Sequence, residues 1–331
     1  MLLRTTPDGL TVKDEVDGRW VALAAAAERY GSADDAAALG ACDLVEFLAG
    51  GEDLEQRTRS LLDASRGDES VSADPTGARL PLRPRSIRAF MVWDTHYTGS
   101  ARMMVKRFFP KPIAALAGGF ERVTGRTFPP FKPKERFYRV PSFYMANHTA
   151  VLADGEPMWW PRHTKYLDFE LELACVLARP IADATPEEAR AAVGGWFVMN
   201  DWSARDVQAD DQRHNPFGPV VKAKTFANSI GGDVLTASSL PDWRTATGRV
   251  RVDGEVWCEG TTAGAVHDIG DMLAYASTGE RLQAGDVIST GTFPGCCGLE
   301  LDRWITPGQT VELEIDGIGT VTNTIVPDHK P

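Results

Sequence analysis

Three carboxylates on alternate positions in the middle of this chain run directly into an uninterrupted apolar stretch. Residues 168–178 read Asp-Phe-Glu-Leu-Glu-Leu-Ala-Cys-Val-Leu-Ala. Because side chains alternate between the two faces of a β-strand, a strand here points Asp168, Glu170 and Glu172 to one face. The continuous apolar residues that follow are typical of a strand buried on both faces. The acids are therefore expected to lie close to a hydrophobic core.

Buried acids need a compensating charge. Each ionised carboxylate costs several kcal/mol to bury unless a cation or close hydrogen-bond donors compensate. Two or three of them together therefore favour a bound metal ion. A charged edge strand that prevents aggregation is the alternative interpretation of the same residues.

A second polar group follows an apolar segment later in the chain. Residues 195–208 read Gly-Trp-Phe-Val-Met-Asn-Asp-Trp-Ser-Ala-Arg-Asp-Val-Gln, which predicts a strand that ends at Asn200 and Asp201 and a helix-like turn after it. Asp201 could cap that helix. It could also supply a third carboxylate ligand, with Arg205 and Gln208 one and two turns further on. Oxygen ligands without His or Cys suit Mg²⁺ or Ca²⁺ better than zinc.

Composition excludes several classes of partner. The net charge of -11 argues against binding to nucleic acid or to an anionic membrane. No apolar run approaches the ~20 residues that cross a bilayer, and the first residues lack the apolar core of a signal peptide. We therefore expect a cytoplasmic protein. Its five cysteines form no Cys-x-x-Cys pair and are expected to be reduced; Cys296 and Cys297 have no His near them in sequence, which favours packing over catalysis.

The sequence predicts two regions. Residues 1–80 contain a hairpin signal at Asp17-Gly18, between strand candidates at 10–12 and 20–23, and helices near 33–39 and 54–65. The Pro-rich and Arg-rich residues 75–84 read as a linker. Residues 86–326 are mostly short strands, with a helical insertion at 101–124, a helix at 186–193 and a hairpin over 311–321. The insertion is interpreted as a packed helix pair, with a lid or a dimer-contact arm as alternatives.

Several short motifs follow one another along the chain. In chain order they are Asp168-x-Glu170-x-Glu172, Asn200-Asp201-Trp202-Ser203-Ala204-Arg205-Asp206-x-Gln208, Gly218-Pro219, Lys224-x-Phe226, Gly291-Thr292, Gly298-Leu299-Glu300-Leu301 and Pro307-Gly308 with the hairpin that follows it. Several spaced motifs in one order are more specific than any single motif. Their order resembles the fumarylacetoacetate hydrolase family, and the resemblance covers about residues 86–326.

The resemblance implies a fold and an assembly. The fold is a mixed, mainly β roll with peripheral helices, as in the C-terminal part of that family, preceded by a small N-terminal α+β domain. The chain is accordingly expected to divide into a small domain at 1–80 and a catalytic domain at 86–326. A homodimer is expected.

The resemblance also implies roles for individual residues. Glu170, Glu172 and Asp201 would bind a divalent ion, Mg²⁺ with Ca²⁺ or Mn²⁺ as alternatives, that chelates the keto and enolate oxygens of a keto acid substrate. Asp168 would lie outside the coordination sphere. Lys224 and Arg205 would stabilise the negative charge that develops on the substrate, and Tyr144, Gln208 and Thr292 would bind it.

His96 is the candidate general base. Glu300 matches the acid that orients it, and an imidazole held by a carboxylate is suited to take a proton from water. A lone His in an apolar segment such as residues 88–96 is more often a packed residue; the matched context favours the catalytic interpretation.

The chain departs from the family pattern at two positions. Ala89 stands where many members have an Asp that is a fourth metal ligand in some branches, and Met91 replaces a Tyr of the substrate site. Three carboxylates can still hold Mg²⁺, which keeps several waters. These losses argue against fumarylacetoacetate itself as the substrate.

The sequence hypothesis is a metal-dependent hydrolase that cleaves a carbon–carbon bond in a 1,3-diketo acid such as an acylpyruvate. Decarboxylases, isomerases and hydratases of 2-oxo acids are alternatives on the same site. Retention of both His96 and Glu300 favours hydrolysis, since the alternatives need no activated water. A non-catalytic metal-binding scaffold protein is a further alternative.

Overall fold

The computed structural model describes residues 1–7, 9–76 and 80–327. The strands are β1 (Leu2–Thr6), β2 (Gly9–Lys13), β3 (Trp20–Ala22), β4 (Ile87–Met91), β5 (Ser142–Ala146), β6 (Val151–Ala153), β7 (Met158–Trp159), β8 (Leu167–Asp168), β9 (Glu170–Leu177), β10 (Ile181–Ala182), β11 (Val193–Asn200), β12 (Ser203–Ala204), β13 (Asn228–Ile230), β14 (Asp233–Thr236), β15 (Thr247–Val252), β16 (Glu255–Thr261), β17 (Arg281–Leu282), β18 (Val287–Cys297), β19 (Thr310–Ile315) and β20 (Gly319–Val326). The helices are α1 (Leu23–Tyr30), α2 (Ala33–Leu39), α3 (Leu44–Ser65), α4 (Asp94–Phe108), α5 (Lys111–Thr124), α6 (Glu135–Arg139), α7 (Pro186–Ala191), α8 (Arg205–His214), α9 (Ile269–Ala276) and α10 (Gly298–Leu301).

One large mixed sheet and one smaller sheet form the body of the protein. The strands of the large sheet follow the order β3-β2-β1-β14-β11-β9-β18-β4-β5, and β13 and β6 extend it from β11. The smaller sheet has the order β16-β15-β19-β20-β7. Most neighbours are antiparallel, whereas β18 with β4, β13 with β6 and β20 with β7 are parallel. The mainly β fold with peripheral helices predicted from the sequence is confirmed.

Strand β9 lies at the centre of the large sheet, and both of its faces are buried. Leu171 and Leu173 belong to the same hydrophobic cluster as Leu313 of the smaller sheet. Val176, on the opposite face, belongs to a second cluster with Leu48 of α3. The continuous apolar run after Glu172 is therefore explained by layers on both faces, as the sequence predicted.

The N-terminal α+β region is joined to the large sheet. Strand β1 pairs antiparallel with β14, with Leu3 opposite Val234, and β2 and β3 form the predicted hairpin at the edge of the sheet. A glycine in β11 permits close packing of α3 on the large sheet, since a Cβ at Gly194 would lie 2.9 Å from Leu48 Cβ. The region is thus a layer of the main fold and not a unit attached only by a linker, although the division at residues 80–86 stays a prediction. Residues 77–79 of that linker lie outside the described residues.

Three predicted helical segments differ from their predicted bounds. The helix predicted at 54–65 begins at Leu44, where Asp43 caps it, and passes through a kink at Gly51, whose φ is 56°. The helical insertion begins at Asp94 and is a pair of helices, α4 and α5, separated at Pro110. Helix α7 begins at the predicted Pro186, with Thr185 as its cap, and ends at Ala191 because β11 starts at Val193. Within the described ranges, none of the helices has the length and apolar composition of a membrane-spanning segment.

The contact between α3 and the sheet should contribute to the stability of the whole fold. We expect Leu48→Ala to lower the free energy of unfolding by about 2–5 kcal/mol, the usual cost of truncating a buried leucine. Val16→Ala is the control, since Val16 is 73% exposed and surface changes usually stay within about 0.5 kcal/mol. Chemical denaturation followed by tryptophan fluorescence measures both. An unchanged main transition in Leu48→Ala would mean that the N-terminal layer is not energetically joined to the sheet.

Candidate metal centre and its acid–base partners

Three buried carboxylates meet at the ends of two central strands. Glu170 and Glu172 lie on β9, and Asp201 follows directly after β11, which pairs with β9. One carboxylate oxygen from each lies within 4.8 Å of the others. Their exposed fractions are 3%, 2% and 1%. Helix α8 begins only at Arg205, so Asp201 is not its cap.

Lys224 and Tyr144 contact this carboxylate cluster directly. The Lys224 ammonium donates to Glu170 and to Asp201 Oδ2, the latter at 2.8 Å. The Tyr144 hydroxyl donates to the same Asp201 oxygen at 2.5 Å. Burial lowers the pKa of Lys224, but Asp201 and Glu170 outweigh burial and raise the pKa of Lys224 overall. Lys224 is therefore held as a cation inside the site.

Arg205 fixes the position of Glu170 from the other side. Its guanidinium donates to Asp168 at 2.7 Å, to Glu170 at 2.6 Å and to the Gln208 side-chain oxygen at 2.9 Å. Burial favours the neutral acid in Glu170, yet Lys224 and Arg205 together lower the pKa of Glu170 below its usual range. Asp168 lies outside the three-carboxylate cluster and serves as the partner of Arg205.

The charges of the cluster fit a divalent ion. Asp168, Glu170, Glu172 and Asp201 are four buried acids, and Lys224 and Arg205 are two buried cations, so two negative charges remain when all four acids are ionised. Among the described residues, Asp201 Oδ1 is buried without a hydrogen-bond partner. Burial, Asp201 and Glu170 raise the pKa of Glu172 well above its usual range. The site is rich in carboxylate oxygens, one of which has no partner, and it carries an excess of two negative charges. It is therefore suited to a hard divalent cation.

Strand β18 supplies further contacts to the cluster. Thr292 pairs with Glu172 across the β9–β18 ladder, and its hydroxyl donates to Glu172 Oε1 at 3.3 Å. Ser289 donates to the other Glu172 oxygen. The sequence analysis missed Ser289. The available signal was its position three residues before Thr292 in the strand that pairs with the acids.

His96 and Glu300 form the predicted pair. His96 Nδ1 lies 2.6 Å from Glu300 Oε2, and the imidazole is 2% exposed. Cys297, which directly precedes the helix that carries Glu300, pairs with Glu170 across the β9–β18 ladder, so the pair and the carboxylate cluster belong to one site. The Cys297 thiol donates to the same Glu300 oxygen at 3.4 Å. The sequence predicted only a packing role for Cys297, because no His lies near it in sequence.

Two glycines make this pair possible. A Cβ at Gly99 on α4, the helix that carries His96, would lie 2.4 Å from Glu300 Oε1, so a larger residue there would displace the Glu300 carboxylate. A Cβ at Gly298 would lie 2.4 Å from Asp168 Oδ1. Asp168 instead accepts hydrogen bonds from the amides of Gly298 and Leu299 at 2.7 and 3.0 Å. Asp168 thereby links Arg205 to the short helix that carries Glu300.

The predicted substrate-binding residues all lie at this site, and each of them contacts a charged member. Tyr144 contacts Asp201, Gln208 contacts Arg205 and Thr292 contacts Glu172. Their roles in binding substrate stay predictions. Ala89 is buried and pairs with Tyr144 on one side and with Ser289 on the other, so a methyl group stands beside the cluster at this position.

The fold and this site together define a class: mainly β proteins with a buried, carboxylate-lined centre for a divalent ion. A family model described as fumarylacetoacetate hydrolase, C-terminal, matches residues 116–326. The match spans more than half of the chain. The chain therefore belongs to the fumarylacetoacetate hydrolase family.

Curated relatives with similar sequences carry out different reactions. Over 199 residues the chain is 31% identical to a 4-hydroxyphenylacetate degradation bifunctional isomerase/decarboxylase of Salmonella dublin, a match that covers 60% of this chain and 43% of that protein. Over 187 residues it is 31% identical to the oxaloacetate tautomerase YcgM of Escherichia coli, covering 56% of this chain and 82% of the relative. The chain thus spans less than half the length of the first of these relatives.

Solved structures share the fold. A fumarylacetoacetate hydrolase from Exiguobacterium antarcticum superposes with a TM-score of 0.64 at 21% identity and covers 99% of both chains. A fumarylpyruvate hydrolase from Pseudomonas aeruginosa, solved with Mn²⁺ and pyruvate, has a TM-score of 0.55 at 20% identity and covers 76% of this chain and 100% of its own. The N-terminal layer therefore belongs to the part of the chain that superposes on the first structure.

Asp201 should be required for binding a divalent ion. We expect Asp201→Asn to weaken Mn²⁺ binding at least about tenfold, because loss of outer contacts alone costs about 10–100-fold at metal sites. Asp210→Asn is the matched control, since Asp210 is exposed on α8 and should leave affinity unchanged. Titration calorimetry with Mn²⁺ and Mg²⁺ measures both. Equal affinities in the two variants would rule out Asp201 as a ligand.

Proposed function

We propose that the chain is a metal-dependent hydrolase that cleaves the carbon–carbon bond of an acylpyruvate-type 1,3-diketo acid. The observation that carries the proposal is the His96–Glu300 pair beside the carboxylate cluster. A general base next to a cation site is what hydrolysis requires and what a scaffold protein does not. Membership of the family supports the proposal, as does the structural similarity to a fumarylpyruvate hydrolase solved with Mn²⁺ and pyruvate.

Each side chain has a definite task in this proposal. A divalent ion held by Glu170, Glu172 and Asp201, Mg²⁺ or Mn²⁺, would supply Lewis-acid stabilisation of negative charge on the substrate's oxygens. Lys224 adds a fixed ammonium on the same side, and its low exposure strengthens its field. Arg205 acts through Glu170, which it holds in place, because its three donor contacts are already made within the site.

His96 would act as the general base that removes a proton from water. With Nδ1–H donating to Glu300, the other ring nitrogen, Nε2, carries the lone pair and takes a proton from water. The resulting hydroxide adds to the acyl carbonyl, and the carbon–carbon bond then breaks. The bonding electron pair leaves with the pyruvate fragment, which takes the proton held by His96 to become pyruvate, while the acyl fragment leaves as a carboxylic acid.

Tautomerisation of a 2-oxo diacid such as oxaloacetate is the second candidate. The tautomerase YcgM, with 31% identity and 82% coverage of its own length, favours it. Enolisation uses the same metal centre and needs a proton relay but no added water. The two candidate reactions therefore differ in their products, and only the hydrolase reaction consumes a water molecule.

The decisive experiment assays both reactions with Mg²⁺ and with Mn²⁺. We expect pyruvate release from acylpyruvates, with His96→Ala lowering kcat by about 10²–10⁴-fold, the usual contribution of a general base. Mn²⁺ affinity should be unchanged in that variant, and Glu170→Ala should lose both binding and turnover. Rapid loss of the enol form of oxaloacetate without pyruvate release from any acylpyruvate would favour the tautomerase. Undiminished hydrolysis in His96→Ala and Glu170→Ala would refute the hydrolase mechanism.

Gly99 tests the orientation of the His96–Glu300 pair without changing either residue. We expect Gly99→Ala to lower kcat at least about tenfold, since its Cβ would occupy space next to Glu300 Oε1 and displace the group that orients the base. Gly118→Ala on the neighbouring helix is the control, because a Cβ there has nothing within 4 Å. Equal kcat values in the two variants would contradict this role of Gly99.

The proposed reaction and the net charge indicate which partners the enzyme binds. Its substrate is a small keto acid, and neither nucleic acid nor a membrane is expected to bind a chain with a net charge of -11. The homodimer and the cytoplasmic location stay predictions. Light scattering on the purified protein tests the homodimer.

A further inference from the structure

His96, Cys297 and Glu300 bring three different ligand atoms together behind the metal centre. A ring nitrogen of the imidazole, Sγ of the thiol and a carboxylate oxygen all lie within 4.8 Å of one another. His96 and Cys297 are buried, and both contact the same oxygen, Glu300 Oε2. This group, the His96–Cys297–Glu300 group, shares no residue with the three-carboxylate cluster.

The group has the composition of a zinc site. Zinc is bound by imidazole nitrogen, thiolate sulfur and carboxylate oxygen, and sites with three protein ligands keep a fourth position for water. Sulfur and nitrogen donors also separate this group from the all-oxygen cluster, which suits Mg²⁺. We propose that the His96–Cys297–Glu300 group binds Zn²⁺ and that zinc bound there inhibits the enzyme.

The distances are close to those that zinc needs. Zinc–ligand bonds of about 2.0–2.3 Å place tetrahedral ligand atoms roughly 3.3–3.7 Å apart. The Cys297 sulfur already lies 3.4 Å from Glu300 Oε2. The imidazole Nδ1 lies 2.6 Å from that oxygen, so it would have to move away by roughly 0.7 Å to admit the ion.

The charges and protons also balance. Zinc replaces the thiol proton of Cys297, which is released to solvent, and the thiolate and the Glu300 carboxylate together match the two charges of the ion. Nδ1 of His96 gives up its hydrogen bond to Glu300 and binds zinc through its lone pair. The proton of the neutral ring is then carried by Nε2.

This change of tautomer explains why zinc would inhibit. Nε2 is the nitrogen that accepts a proton in the proposed reaction, and once it carries the proton of the neutral ring it can no longer do so. The carboxylate cluster can keep its own ion. Inhibition is therefore expected to persist at saturating Mg²⁺, which distinguishes it from simple replacement of one metal by the other.

Cobalt(II) gives a readout that does not depend on turnover. In Co²⁺ titrations under reducing conditions with excess Mg²⁺, the wild type should develop the near-ultraviolet charge-transfer absorption of a thiolate–cobalt bond, which oxygen ligands do not produce. We expect Cys297→Ser to lose this absorption. Cys42→Ser is the control, since Cys42 lies far away in sequence on the N-terminal layer and is partly exposed, and it should retain the absorption. Unchanged Mn²⁺ binding in Cys297→Ser would show that the variant is folded.

Zinc inhibition provides the second measurement. At saturating Mg²⁺, each variant is compared with its own rate without zinc, and the inhibition constant for Zn²⁺ should rise at least about tenfold in Cys297→Ser. Absence of the charge-transfer absorption in the wild type, or its retention in Cys297→Ser, would overturn the proposal. Because the cobalt titration needs no substrate, it tests the zinc site even if the chain does not hydrolyse acylpyruvates.

Discussion

The site depends on the ion pairs that Arg205 and Lys224 make with buried carboxylates. Each cation contacts two acids: Arg205 contacts Asp168 and Glu170, and Lys224 contacts Glu170 and Asp201. Buried ion pairs are strongly destabilised when one partner is lost, because the other charge is then left uncompensated. Glu170 accepts from both cations and is the acid whose ionised form the surroundings favour most. Glu172 contacts neither cation, and burial raises the pKa of both Glu172 and Asp201, so a bound ion would have to keep these two carboxylates ionised.

The same ion pairs connect the metal centre to the acid–base pair. Asp168 binds Arg205 with one oxygen and accepts the amides of Gly298 and Leu299, so the start of α10 is anchored to the guanidinium. Glu300 follows in that helix and contacts His96. The distance between the base and the ion site is therefore set by backbone amides and a buried salt bridge, which are stiffer than a contact between long side chains. This accounts for the presence of a third acid in the Asp168-x-Glu170-x-Glu172 pattern although only two of the three acids face the cluster.

The sequence predicted the central strands and the charged cluster better than the regions around them. Alternation over 168–172 followed by apolar residues predicts a strand buried on both faces. The structure has it from Glu170 onward as β9, whereas Asp168 lies on the separate strand β8. The N-terminal region was harder, because pairing of β1 with β14 joins residues more than two hundred positions apart and no local pattern encodes it. The contact of Cys297 with Glu300 depended on the bulges in β18 between Ser289 and Cys297. A strand with regular register would have placed those side chains elsewhere.

The side chains on one face of β9 explain what the N-terminal layer contributes to the site. Val176 lies on the same face of the strand as Glu170 and Glu172, since even positions alternate to one side. That face is covered by α3 in its apolar part, while Tyr144 and Lys224 contact the carboxylate cluster further along. Removing the N-terminal layer would expose the apolar half of a face whose other half holds the carboxylates of Glu170 and Glu172. We therefore interpret the layer as part of the support of the site: it keeps β9 and β11 in the dry surroundings in which Lys224 and Arg205 act most strongly on the acids.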